Sequence, residues 1–147
     1  MNAFFIFKDD WRRNMTSEEL REAFVEVLKR EFPEIRVKKS TLKSGKVRYS
    51  PFVPNHKKNK RWMQLDANPQ YLSIAMDHAV GDITMDDLKL LGLGDGLNGS
   101  SNAIQLQKDN DAVNSSIFIN EPFDFTKDVF ITFIHKHYAS YLRSVNL

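Results

Sequence analysis

The chain is 147 residues long and 41% apolar, with eleven Phe, no Cys and a formal net charge of +2. That length fits one domain, and the apolar share supplies a core able to bury roughly two-thirds of the unfolded surface, which excludes general disorder. Without thiols there is no disulfide framework, no thiolate metal site and no cysteine nucleophile.

In chain order, the longest fully apolar run, Ala3 to Phe7, falls far short of the ~20 residues of a spanning helix, so no membrane partner is expected. No positive charge precedes it, and Lys8, Asp9 and Asp10 follow where a cleavage site would need small residues, so it does not read as a signal peptide. The expected location is the cytoplasm. The run itself reads as a short buried strand or an apolar arm.

A helix is predicted from Ser17 to Glu31. Thr16 and Glu19 have the spacing of a capping box, and Leu20, Phe24, Val27 and Leu28 form an apolar stripe that Pro33 ends. Ile35 to Lys39 and Lys46 to Tyr49 then alternate apolar with cationic residues around Ser44-Gly45, which predicts a hairpin. One face would carry Ile35, Val37, Val47 and Tyr49, and the other Arg36, Lys38, Lys46 and Arg48. Asn55 to Lys60 reads as an exposed loop.

Arg61 to Asp66 and Tyr71 to Met76 predict a second hairpin around Asn68-Pro69. Leu72, Ile74 and Met76 share one face there, with Tyr71 and Ser73 opposite. A short helix is predicted from Met85 to Leu91, capped by Thr84, followed by a loop over residues 94–102. Two more strands, Ala103 to Gln107 and Ser116 to Asn120, precede a last helix from Lys127 to Arg143, capped by Thr126 or Asp124. The pattern predicts one α+β domain over residues 1–147. Its largely antiparallel sheet of about five strands has the two longer helices on one face and one short helix besides.

The most informative stretch is Arg36 to Arg61. Its 26 residues hold ten of the chain's 21 Lys and Arg and no Asp or Glu, so the remainder carries a net charge of −8. A solvated surface usually mixes both signs. A run of one sign implies an anionic partner, either nucleic acid or an acidic protein surface. The candidate nucleic-acid contacts are Arg36, Lys38, Lys46, Arg48, His56, Lys57, Lys58, Lys60 and Arg61, with Tyr49 and Trp62 as stacking groups.

Other chemistry is weakly supported. Gly94, Gly96 and Gly99 spell a dinucleotide fingerprint but lack the strand before and the helix after that the pyrophosphate requires, so no cofactor is expected. His135 and His137 are two apart on a helix and diverge, so they cannot share a metal there; His137 lies on the apolar stripe and reads as a hydrogen-bonded core residue. Asp66, Asp77 and Glu34 are the carboxylates available to a metal-dependent nuclease, although their spacing matches no strict motif. No serine elbow appears. The leading expectation is a small non-catalytic binding protein, of the size of phage-encoded or defence-related accessory proteins, docking residues 36–61 on nucleic acid or a nucleoprotein. A protein–protein adaptor or inhibitor is the first alternative and a nuclease the second.

Overall fold

The computed structural model describes residues 15–54, 60–77, 82–91, 103–106, 115–119 and 123–145. The Ala3 to Phe7 run, most of the Asn55 to Lys60 loop and the glycines of residues 94–99 lie outside them. So do His56, Lys57 and Lys58.

Helix α1 is Ser17–Glu31, and its capping box forms as the sequence requires: Thr16 Oγ1 accepts from the Glu19 amide at 3.1 Å, and Glu19 Oε1 accepts from the Thr16 amide at 3.1 Å. Strands β1 (Arg36–Thr41) and β2 (Val47–Phe52) make the first hairpin, β3 (Met63–Ala67) and β4 (Leu72–Met76) the second. A short helix α2 (Met85–Lys89), β5 (Ala103–Leu106), β6 (Ser115–Ile119) and helix α3 (Asp128–Ser144) complete the described chain. The six strands form one antiparallel sheet in the order β1-β2-β3-β4-β6-β5. The expected α+β architecture is present, with both long helices contributing to a single core on one face of the sheet.

Strand alternation decides which side chains reach that core. Tyr49, Leu65, Ile74 and Ile117 align across four strands and are buried, as are Met63, Leu72, Met76 and Ile119. Phe24 and Leu28 of α1 and Phe130 and Ile134 of α3 cover them from the helix side. The helices also clasp each other: Phe32 stacks on Tyr138 at 4.2 Å between centroids, and Glu31 bonds His135 at 2.9 Å. The Glu31 carboxyl is held below its ordinary pKa, chiefly by the hydrogen bond from His135.

Val47 shares the helix-side face with Tyr49, as expected, and is 42% exposed at the turn end of β2. Two local expectations need correction. The N-cap of α3 is Lys127, without a side-chain bond; Asp124 Oδ1 instead accepts from the Thr126 amide at 2.9 Å, closing a turn just before the helix. The strand expected from Arg61 begins only at Met63, because β3 is bulged. Arg48 and Tyr49 pair with Asp66 and Leu65, yet Phe52 bridges Arg61, so β3 takes four steps where β2 takes three. Pro51 lies in that interval on β2, where no amide is available to continue the ladder, and its carbonyl accepts from the Trp62 amide at 2.7 Å.

Candidate functional site

The acid-free window folds mainly as the β1–β2 hairpin. Gly45 closes its turn with φ +90, a backbone conformation that side-chain-bearing residues rarely adopt, and its amide donates to the Leu42 carbonyl at 2.9 Å. The register then sorts the cations. Lys39 pairs with Tyr49 and Val37 with Pro51 on the helix side; Arg36 pairs with Phe52, Lys38 with Ser50 and Ser40 with Arg48 on the opposite side. The expected row of Arg36, Lys38 and Arg48 is therefore formed on the face away from the two long helices. Lys46 lies outside the strand, beside the second hairpin's turn, where its Nζ donates to Asn68 Oδ1.

Two arginines on this face are held by carboxylates. Arg48 Nε and Nη2 donate to Asp66 Oδ1 and Oδ2 at 2.9 and 2.8 Å, a parallel pair between neighbouring strands that raises the guanidinium pKa above its ordinary value. Asp66 engages two of the five N–H donors and leaves the others directed elsewhere. Arg61 Nε lies 3.4 Å from Asp77 Oδ2. With the Gln64 amide oxygen turned toward it, Arg61 also donates from Nη2 and Nε at 3.0 and 2.9 Å. Both guanidiniums are thus fixed in position while remaining partly exposed, 29% for Arg48 and 36% for Arg61. Arg36 and Lys38 are exposed, and Lys38 has no ion pair among the described residues.

Tyr49 and Trp62, the expected stacking groups, are not available to a ligand. Tyr49 is buried; its hydroxyl donates to Glu22 Oε1 at 2.8 Å, and the Arg21 guanidinium lies 3.8 Å from its ring centre. Trp62 is wholly buried, stacked on Tyr141 at 5.7 Å and edge-on to Phe32, with Nε1 donating to His137 Nδ1 at 2.9 Å. The bulge explains the miss. Regular alternation from Gln64 would place Trp62 on the outer face, and the extra residue turns it toward α3. An indole can only donate, so His137 accepts at Nδ1 and carries its ring proton on Nε2. His137 is the hydrogen-bonded core residue that its place on the apolar stripe implied.

The carboxylates named for a nuclease do not converge. Asp66 pairs across from Ser73, and Asp77 lies four residues beyond Ser73, ~13 Å along the strand. Glu34 accepts from the Tyr138 hydroxyl, on the helix side. Among the described residues, no three His, Asp or Glu side chains form a group able to hold a metal ion. Asp77 is nevertheless unusual: burial pushes its pKa up from 3.8 to about 6, against the opposing charges of Arg61 and Lys60. The Lys60 carbonyl accepts from the Tyr141 hydroxyl, which ties the end of the loop to α3.

Sequence reasoning missed the rings that do lie on the outer face. Phe52 pairs with Arg36 in the ladder and bridges Arg61. Phe118 pairs with Ser73, and Tyr71, 40% exposed, meets it edge-on at 5.9 Å. The signal was in the alternation, which sets Tyr71 and Ser73 opposite Leu72 and Ile74. Among the described residues no helix is long and apolar enough to cross a membrane. Comparison with protein-family models, with curated proteins and with solved structures finds no match for the chain.

Proposed function

We propose that the protein is a non-catalytic docking module that engages nucleic acid, bare or within a nucleoprotein, through the sheet face opposite its two long helices. The observation that carries this reading is the sorting of an acid-free sequence window into a fixed row of Arg36, Lys38 and Arg48, with Arg61 in register beside Phe52. Lysine and arginine bind phosphates by neutralising them and releasing counterions, and positions fixed on strands also set register. The ion pairs to Asp66 and Asp77 hold two guanidiniums in place and leave donors for a phosphate.

Anisotropy titration with labelled single-stranded and duplex oligonucleotides over a salt series tests the proposal. Binding that weakens steeply with salt is expected. The double variant Arg36→Ala/Lys38→Ala is expected to flatten the log–log salt slope by about 2, one per lost phosphate contact. No binding by the wild type at low salt ends the proposal.

A second reading has its own observation. Among the described residues β1 edges the sheet, and the Pro51 partner position is not hydrogen-bonded, so the backbone groups of Val37, Lys39 and Thr41 face outward. An acidic extended segment adding beside β1 would find cations on both sides of that strand. Lysines on an edge strand also suppress unwanted strand addition, so the same residues have a protective role without any partner. Binding to polyglutamate but to neither form of oligonucleotide selects the protein partner over nucleic acid.

A further inference from the structure

We infer that the outer sheet face is a stacking platform for single-stranded nucleic acid, with Phe52, Tyr71 and Phe118 receiving bases between the fixed cations. The platform presupposes the phosphate contacts proposed above and adds the strandedness of the ligand. Its first component is the row Arg36, Phe52 and Arg61, across β1, β2 and the bridge that precedes β3, one ring between two guanidiniums at a spacing of ~4.8 Å per ladder step. A second row, Arg48, Asp66, Ser73 and Phe118, runs parallel to it across four strands, with Tyr71 against the Phe118 ring.

Between the rows, the same face carries Ser50, Gln64 and Ala75, small or flat side chains that let a polynucleotide approach the sheet. From Phe52 to Phe118 the platform spans three strand spacings and four residues, ~20 Å on the diagonal. That length accommodates several nucleotides, the range of small single-strand sites. A duplex keeps its bases paired and stacked, so it presents phosphates to the cations but no base faces to these rings. Stacking is also tolerant of sequence, because every base has a π-face.

A 12-nucleotide oligo(dT) or oligo(U) and a duplex of equal length, both labelled, provide the probes, with ~12 nucleotides exceeding the smallest such sites. The single strands are expected to bind more tightly than the duplex at equal salt. Tyr71→Leu and Phe118→Leu keep apolar contact while removing a stacking face. Each is expected to lose about 5- to 100-fold in single-strand affinity, from the value of one base–aromatic stack. Duplex affinity and the salt slope should stay near wild type. In the wild-type protein, which needs no variant to fold, ring-proton resonances of Tyr71 and Phe118 should shift when oligo(dT) is added. Duplex binding as tight as single-strand binding, or unmoved ring resonances, overturns the platform and leaves the phosphate docking intact. Absence of binding to either form overturns both.

Discussion

Trp62 shows how a residue chosen for binding becomes structural. Its indole N–H needs an acceptor once buried, and His137 on α3 supplies it at 2.9 Å. Trp62→Phe removes the donor and part of the ring, so chemical denaturation should register a loss of about 1–3 kcal/mol. Oligonucleotide affinity of the folded variant should be unchanged, since the ring has no exposed face. The fate of Trp62 was not legible in the sequence, because it depends on a bulge that exists only when β2 and β3 are paired. His137 was legible, because helical spacing alone put it on the buried stripe. Asp77 makes a pH prediction. Its folded-state pKa of about 6 lies above the ordinary 3.8, so between these values the folded chain holds the extra proton. Its contribution to stability therefore rises as pH falls from 7 toward 4, opposite to a carboxylate stabilised by an ion pair. Asp77→Asn should be more stable than wild type at pH 7, by on the order of 1–3 kcal/mol, with the difference closing near pH 4. Urea melts of both proteins at the two pH values check this; a gap that widens on acidification contradicts it.

Among the elements, α1 does more than cover the core. Arg21 projects from it under the sheet, buried, and its Nη1 donates to the carbonyls of Val47 at 2.8 Å and Leu65 at 3.3 Å. The same guanidinium lies over Tyr49, so one side chain ties the helix to β2 and β3 and keeps that ring turned inward. Arg21→Ala should cost about 1–3 kcal/mol, because the variant leaves those carbonyls without this donor. Loosening of β2 should also appear as faster amide exchange in the hairpin, and unchanged exchange would show that α1 does not brace it. The termini of α1 were readable because a capping box is local, four residues deciding their own geometry. Arg21 was not, since on a helical wheel a cation beside the apolar stripe reads as solvent-facing, and only the two strand carbonyls make its burial tolerable. The hairpin faces were readable because alternation holds along both strands: Val37, Tyr49 and Val47 lie on the helix side, and Arg36, Lys38 and Arg48 lie opposite.

At the scale of the whole molecule, charge is segregated by sequence and then by fold. The Arg36 to Arg61 window is cationic and the rest of the chain is acidic. The sheet then divides the window, sending Arg36, Lys38 and Arg48 outward while Tyr49 and Trp62 join the core. The outer face also gains Phe52, Tyr71 and Phe118, two of them from outside the window. Composition could point to the cationic window but not to these rings, because a face belongs to the strand order and not to any one stretch. Under the proposed function this face, and not the helix layer, meets nucleic acid. Backbone amide chemical-shift mapping of the ¹⁵N-labelled protein with an added single-stranded oligonucleotide tests it most directly. Perturbations are expected to concentrate at Arg36, Lys38, Arg48, Phe52, Arg61, Ser73 and Phe118. Perturbations confined to α1 and α3, or none at low salt, would contradict it.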